Sequence, residues 1–200
     1  MAAWRQRSGA EYLGAMSAVI KRPATFADLE DLPAQVVGEI VRGELFVSPR
    51  PAIPHALAAS CLGIELGPFH RGRGGPGGWW ILYEPELHLA DDVLVPDLAG
   101  WKRSRLPVLP QTAAFVEAPD WPCEVLAPST ARVDLQFKLP AYATAGVEFA
   151  WIIDPIQRSL QAFRCRDGKW VLQVSATGNE RVRLEPFEAI ELELATLWEE

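Results

Sequence analysis

The sequence predicts an α/β fold of the mixed α+β kind, a mixed β-sheet with helices packed on it. Three observations lead there. Short β-branched and aromatic runs alternate with a few stretches of helical period, in the order helix, hairpin, helix, several strands, helix, more strands. Seventeen prolines and 15 glycines, spread along the chain, cut it into short segments. Finally, 200 residues of which 49% are hydrophobic allow one well-buried core, because a chain of this size buries roughly 70% of the surface it exposes when unfolded. The element order excludes an all-α bundle and a doubly wound nucleotide fold.

Residues 1–22 carry little apolar periodicity and are expected to form a loosely attached arm, with a single domain over 23–200. Thr25 with Asp28 three positions later marks a helix start, and Pro33 stops that helix. Val36 to Val47 holds two β-branched runs around Arg42-Gly43, the chemistry of a tight hairpin carrying Glu39 and Glu44. These two acids stand five positions apart, and simple alternation puts them on opposite faces. Pro54 to Phe69 reads as a helix with Leu57, Cys61, Ile64 and Leu66 or Pro68 together. Gly72 to Gly78 ends it as a flexible loop without the Gly-Lys-Ser/Thr ending of a phosphate cradle.

Strands are then expected over Trp79 to Glu84, Glu86 to Ala90, Val93 to Trp101 and Trp121 to Leu126, with a Pro-flanked connector from Pro107 to Pro119. Ala131 to Ala145 has helical spacing, with Val133, Phe137 and Tyr142 on one side, Ser129 and Thr130 before it and Gly146 closing it. Val147 to Ile153 is an apolar strand. Ser159 to Cys165 and Trp170 to Val174 form a hairpin about Asp167-Gly168. The end, Ile190 to Glu200, reads as a short acidic helix.

Nineteen Lys and Arg against 26 Asp and Glu give a net charge of −7, which excludes a uniformly basic nucleic-acid coat. Residues 176–200 carry −5 of that total, so the remainder is nearly balanced and a local nucleic-acid groove stays open. Cys61, Cys123 and Cys165 form no CxxC pair, which argues against a disulfide framework or a zinc knuckle. No apolar run approaches the ~20 residues of a membrane span, and Arg5, Arg7 and Glu11 interrupt any signal-like start. A cytoplasmic protein with free thiols, no membrane contact and no nucleotide cofactor is expected.

The residues with chemical potential are Asp97, after Pro96 at the end of a strand run, and Glu124, in a second strand. Two carboxylates on neighbouring strands can share Mg²⁺, which takes hard oxygen ligands and keeps several waters. Lys138 follows 14 residues after Glu124, one helical turn beyond Asp134. A lysine there can orient a water or stabilise charge on a phosphate. On spacing alone a bland account is also available, with Asp97 ending a strand, Glu124 on the surface, and Asp134 and Lys138 an ordinary i,i+4 pair. His70 and His88 have no partner at metal-ligand spacing and read as solvent-facing, and Cys123 reads as a small core residue. No Gly-x-Ser-x-Gly elbow supports a serine hydrolase.

A set of ordered fragments resembles one family: Glu39-Ile-Val-Arg-Gly-Glu44 with Val47-Ser48-Pro49, His55, Glu84-Pro85, Pro96-Asp97, Cys123-Glu-Val-Leu-Ala-Pro-Ser-Thr130, Asp134-Leu-Gln-Phe-Lys138, Tyr142, Gly146-Val147 and Trp151-Ile-Ile-Asp154-Pro155. From Thr25 to about Phe163 the chain is similar to the Uma2 family, described as restriction endonucleases, within the PD-(D/E)XK nuclease superfamily. The resemblance implies a restriction-endonuclease-like central mixed sheet flanked by helices, with an N-terminal hairpin and helix, and a Mg²⁺ site (Mn²⁺ as a substitute). Carried over, Asp97 and Glu124 are metal ligands with the Val125 carbonyl, and Glu44 is the acid from the hairpin. The superfamily's lysine two positions after the acid is replaced by Leu126. In Uma2-like chains the lysine stands on the following helix, which nominates Lys138.

His55 matches a family position and is a candidate for a phosphate or a water beside the metal, with simple surface or packing use as the alternative; Asp134 is expected to orient Lys138 rather than bind metal, and Glu84 matches a family position with a structural role in the strand turn as its alternative. The implied activity is Mg²⁺-dependent hydrolysis of phosphodiester bonds in DNA by metal-activated water, in a homodimer. Arg50, Arg71, Arg73, Lys102, Arg103, Arg105 and Arg132 are candidate guides for a strand. The alternative is a catalytically inactive nuclease-fold module for binding or assembly.

Overall fold

The computed structural model of the chain describes residues 22–71 and 75–198. The expected arm over 1–22, apart from Arg22, lies outside the described residues, as do Arg73 and the side chain of Arg71. Helix α1 (Phe26–Glu30) starts as expected, because the Asp28 carboxylate accepts the Thr25 backbone N–H at 2.7 Å. Arg22 pairs with Asp28 at 2.8 Å.

Strands β1 (Val36–Val41) and β2 (Glu44–Pro49) form the hairpin. Arg42 (φ 54°) and Gly43 (φ 75°) are both left-handed, as a two-residue turn between twisted strands requires. Asp92 Oδ1 accepts the Arg42 N–H at 2.6 Å and anchors the turn. Helix α2 (Ile53–Glu65) and the short α3 (Gly67–Arg71) follow. The buried face of α2 is His55, Ala58, Ala59 and Leu62, while Leu57 and Ile64 are exposed, a correction to the expected stripe. Small alanines let the helix lie close to the sheet, so large residues are turned outward.

Two sheets organise the rest. A four-stranded antiparallel sheet runs β2-β1-β5-β4, with β4 at Leu87–Leu89 and β5 at Asp92–Leu94. A six-stranded mixed sheet runs β10-β9-β8-β7-β6-β3. Its strands are β3 (Trp79–Tyr83), β6 (Leu98–Lys102), β7 (Trp121–Val125), β8 (Phe149–Asp154), β9 (Ser159–Arg166) and β10 (Lys169–Thr177). Only the β7–β8 pairing in this sheet is parallel. The single strand expected from Val93 to Trp101 is two strands in different sheets. Pro96 has no N–H for a ladder, so the chain leaves the small sheet at Leu94 and joins the large one at Leu98.

One face of the large sheet, through Cys123, Val125, Trp151 and Ile153, packs on α2. The other face, through Ala99 and Trp101, packs on Val41, Leu87 and Leu94 of the small sheet and on Tyr142. The stretch 131–144 is one helical run in three parts: α4 (Ala131–Val133), a π turn (Asp134–Lys138) and α5 (Leu139–Thr144). Pro140 accounts for the π turn. Its ring cannot donate and crowds the carbonyl four residues back, and the wider turn, with the Leu139 N–H on the Asp134 carbonyl, relieves that crowding.

The C-terminal segment is not the expected acidic helix. It pairs β11 (Arg181–Val182) with β12 (Leu192–Glu193) and ends in a 3₁₀ turn, Leu194–Leu197. Its apolar residues decide this. Phe187 lies 4.8–5.6 Å, centroid to centroid, from Phe69, Trp79, Trp121 and Trp151, and Leu194, Leu197 and Trp198 join the same core. His70 is also corrected. Its Nδ1 accepts the Ile81 N–H at 3.0 Å, so it covers the open edge of β3 instead of facing solvent. Among the described residues no helix is long and apolar enough to cross a membrane.

Candidate active site

The site forms where the two sheets and the π turn meet. Asp97 sits at the corner between β5 and β6 that Pro96 creates. Its Oδ2 accepts the Val125 N–H at 2.7 Å, and its Oδ1 lies 3.1 Å from His55 Nε2. His55, in the first turn of α2, is buried, and its Nδ1 has no hydrogen-bond partner. Burial opposes the charged imidazole, yet the hydrogen bond and charge of Asp97, with Asp134 and Glu84 behind, outweigh it and raise the His55 pKa.

Glu124 is 2% exposed. Alternation along β7 turns Cys123 and Val125 toward α2 and Glu124 toward the helix on the other face. There the Tyr142 hydroxyl donates to Glu124 Oε1 at 2.6 Å and Lys138 Nζ donates to Oε2 at 2.9 Å. Lys138 Nζ also donates to the Val95 carbonyl at 3.0 Å and lies 3.0 Å from Glu39 Oε1 and 3.5 Å from Asp134 Oδ1. The Val95 N–H donates to Glu39 Oε1 at 2.7 Å. Glu39 and Lys138 thus satisfy the backbone groups of Val95, which lies in the break between the two sheets.

The electrostatics follow from crowding. Burial pushes the Glu124 carboxyl well above the usual range; Lys138 opposes this, while Asp134, Asp97 and Glu39 add to it. Burial likewise lifts Asp134 to about 6, against the pull of Lys138 and with the push of Glu39 and Asp97. For Lys138 burial works against the charge, but Glu124, Glu39 and Asp134 overcome it and hold the ammonium well above its ordinary pKa. The cleft, of about 290 Å³, is lined by five carboxylates (Glu39, Glu84, Asp97, Glu124 and Asp134) against the fixed cations Arg50 and Lys138.

Of the residues expected from sequence, the structure brings Asp97, Glu124, Val125, Lys138, His55 and Asp134 together. It does not bring Glu44 to them. Glu44 is exposed on the edge strand β2 at the turn end of the hairpin, opposite Val41, whereas Glu39 pairs with Phe46 deeper in. The expectation that the two acids face opposite ways also fails. A two-residue turn makes odd positions of β1 share a face with even positions of β2, so both acids lie on one face, and Glu39, deeper in the hairpin, is the one that reaches the cluster.

Tyr142 is the other residue that sequence reasoning placed differently, on an apolar helix side. Its signal was the spacing 134, 138, 142. Glu84, at φ 43°, donates its N–H to the Asp97 carbonyl at 3.1 Å, and its carboxylate lies 3.4 Å from Arg50. Among the described residues no three His, Cys, Asp or Glu side chains converge as a ready-made metal cage, because Glu39, Glu124 and Asp134 gather around the Lys138 ammonium.

The expected basic guides divide by position. Arg50 lines the cleft, whereas Arg132, exposed on α4, is not part of its lining and lies 5.9 Å over the Phe137 ring. Lys102, Arg103 and Arg105 lie at the other end of β6 from Asp97, about 17 Å along the strand, and are already engaged. Lys102 pairs with Glu148 at 3.4 Å, Arg105 with Asp120 at 3.1 Å, and Arg103 stacks 3.5 Å over the Trp80 ring. Glu185 and Glu188 of the acidic C-terminal segment share a recess with Lys102, away from the cleft.

Residues 23–196 match the sequence profile of the family described as "Uma2: Putative restriction endonuclease". Among solved structures, the chain resembles one described as "a putative nuclease belonging to DUF820", from Anabaena variabilis. The TM-score is 0.69 with 21% sequence identity, over 88% of this chain and 98% of that one. At that identity the likeness is one of fold. No curated protein matches the chain.

Proposed function

The chain belongs to the Uma2 family, and from that premise we propose that it is a Mg²⁺-dependent endonuclease, with Mn²⁺ as a substitute, that hydrolyses phosphodiester bonds in DNA. One observation carries the reading: five carboxylates line a cleft that holds two fixed cations. Where ionised, these acids outnumber the cations and repel a phosphate until further positive charge enters the cleft. Asp97, Glu124 and Glu39 offer the hard oxygens that Mg²⁺ takes, and the Val125 carbonyl is the expected fourth donor. When bound, the cation supplies charge neutralisation for the phosphate and a more acidic attacking water.

The chain's own residues prepare that chemistry. The Val125 N–H and His55 hold Asp97 from its two oxygens, and Tyr142 and Lys138 hold Glu124 from both of its own. Lys138 brings a positive charge into the cleft, where charge develops on the phosphate, although its N–H donors are directed to Glu124, Glu39 and the Val95 carbonyl. Arg50 lines the cleft, and a strand approaches it from the side away from the acidic C-terminal segment. A cytoplasmic homodimer is part of the reading, since one small domain offers limited surface to a duplex.

The test is incubation of the purified protein with supercoiled, linear and single-stranded DNA in Mg²⁺ or Mn²⁺, beside Glu124→Gln. Cleavage by the wild type alone supports the reading; intact DNA together with no metal binding by titration overturns it. The internal saturation of Glu124 and Lys138 favours a second reading, a non-catalytic nuclease-fold module in which the cluster serves packing. In that case Mg²⁺ leaves the Tm unchanged for wild type and Glu124→Gln alike.

A further inference from the structure

Building on the metal-dependent reading, we propose that Lys138 is the resident counter-ion of the acid cluster, competing with divalent cations for Glu39 and Glu124, and turns its N–H donors to a phosphate only after giving those carboxylates up. Donor counting supports this. An ammonium has three N–H groups, and four protein oxygens lie within 3.5 Å of Lys138 Nζ: Glu124 Oε2, the Val95 carbonyl, Glu39 Oε1 and Asp134 Oδ1. None is left for a water or a phosphate, so the lysine in this arrangement cannot perform the task that its place in the site assigns to it.

The same four oxygens are what an incoming hard cation seeks. Asp97 does not touch the lysine, each of its oxygens having one partner, His55 or Val125, so it can take a cation without displacing Lys138, whereas Glu124 and Glu39 cannot. Lys138 has the means to yield. Its stem is a flexible four-carbon chain, and the carbonyl of Val95, where the chain passes between the two sheets, is a partner it keeps while releasing the carboxylates. Asp134, one turn back on the same helix, remains beside it in either position. The cluster is therefore self-neutralised at rest, and the lysine's availability is tied to cation occupancy.

The test is calorimetric titration of Mn²⁺ into wild type and Lys138→Met, with DNA absent. The proposal expects Lys138→Met to bind about tenfold tighter or more, because its competitor is gone. Binding by the wild type with equal or weaker binding by the variant overturns the proposal and leaves the metal reading standing. No binding by either protein overturns both. Because the variant leaves buried carboxylates unpaired and so risks misfolding, a second measurement uses wild type alone. With lysine side chains labelled with ¹⁵N, the Lys138 ammonium gives a slowly exchanging signal without metal. Saturating Mg²⁺ is expected to shift it or remove its exchange protection, and an unchanged signal at saturation overturns the proposal.

Discussion

Asp134 offers the sharpest thermodynamic test of the crowded-acid picture. It is buried, and its pKa is lifted from 3.8 to about 6 by burial and by Glu39 and Asp97, net of the attraction of Lys138. The folded state therefore binds the Asp134 proton more tightly than the unfolded chain does. Stability from this group is fully present below the unfolded value and is lost as pH rises through about 6. At about 1.4 kcal/mol per unit, the shift corresponds to about 3 kcal/mol by neutral pH. Asp134→Asn keeps the shape and removes the charge. In metal-free buffer the variant should be more stable than wild type at pH 7.5 by up to about 3 kcal/mol, with the advantage vanishing near pH 4. Urea unfolding of both proteins at the two pH values measures the difference, which includes the relief of Glu124, a carboxyl that Asp134 also pushes up. A variant less stable than wild type by the same amount at both pH values would refute the reasoning, because Asp134 would then be a net structural partner of Lys138 and not an electrostatic burden.

Three further outcomes follow from named contacts. Tyr142→Phe removes the 2.6 Å donor to Glu124 and should cost about 1–3 kcal/mol in urea unfolding, the penalty for a buried acceptor left unpaired; a loss within error would mean that water replaces the hydroxyl. Glu39→Gln should weaken Mn²⁺ binding about tenfold or more while Glu44→Gln leaves it unchanged, and the reverse order in calorimetry would restore Glu44 to the site. His70→Ala takes the acceptor from the Ile81 N–H and should cost about 1–3 kcal/mol in thermal unfolding, with light scattering reporting whether the uncovered β3 edge associates.

The parts of the fold that sequence disclosed are those set by local chemistry. Arg42-Gly43 and Asp167-Gly168 name their own hairpins because both positions of each turn need positive φ. Pro96 held a signal that strand alternation overrode. A proline amid Val93 to Trp101 argues against one continuous ladder, and it is what places Asp97 at a corner between sheets. The C-terminal segment misled through its acids. Its helix-like charge pattern says nothing of Phe187 and Trp198, whose partners Phe69, Trp79 and Gly178 are far away in sequence. The site divides the same way. Asp97, Glu124 and Lys138 stand out by type and order, whereas Glu39 required the parity count to be carried across a two-residue turn, and Tyr142 required knowing which side of its helix faces β7.

The placement of the lysine ties these levels together. Two positions after Glu124, a strand lysine would share its face; Leu126 stands there instead and packs with Leu139, Ala150 and Ile152. The ammonium has to come from the opposing helix, and Asp134, Lys138 and Tyr142 must all reach the same face of β7. An unbroken α-helix rotates residues four apart by about 40° per step, which would carry Tyr142 about 80° away from Asp134. The π turn takes up part of that drift in the segment 134–138, and Pro140 two residues later is what makes a wider turn the relaxed conformation there. Pro140, inside the stretch read from sequence as one regular helix, thereby keeps the lysine and the tyrosine aimed at one carboxylate. Replacing it with alanine would be expected to restore a regular helix and to separate the two donors of Glu124.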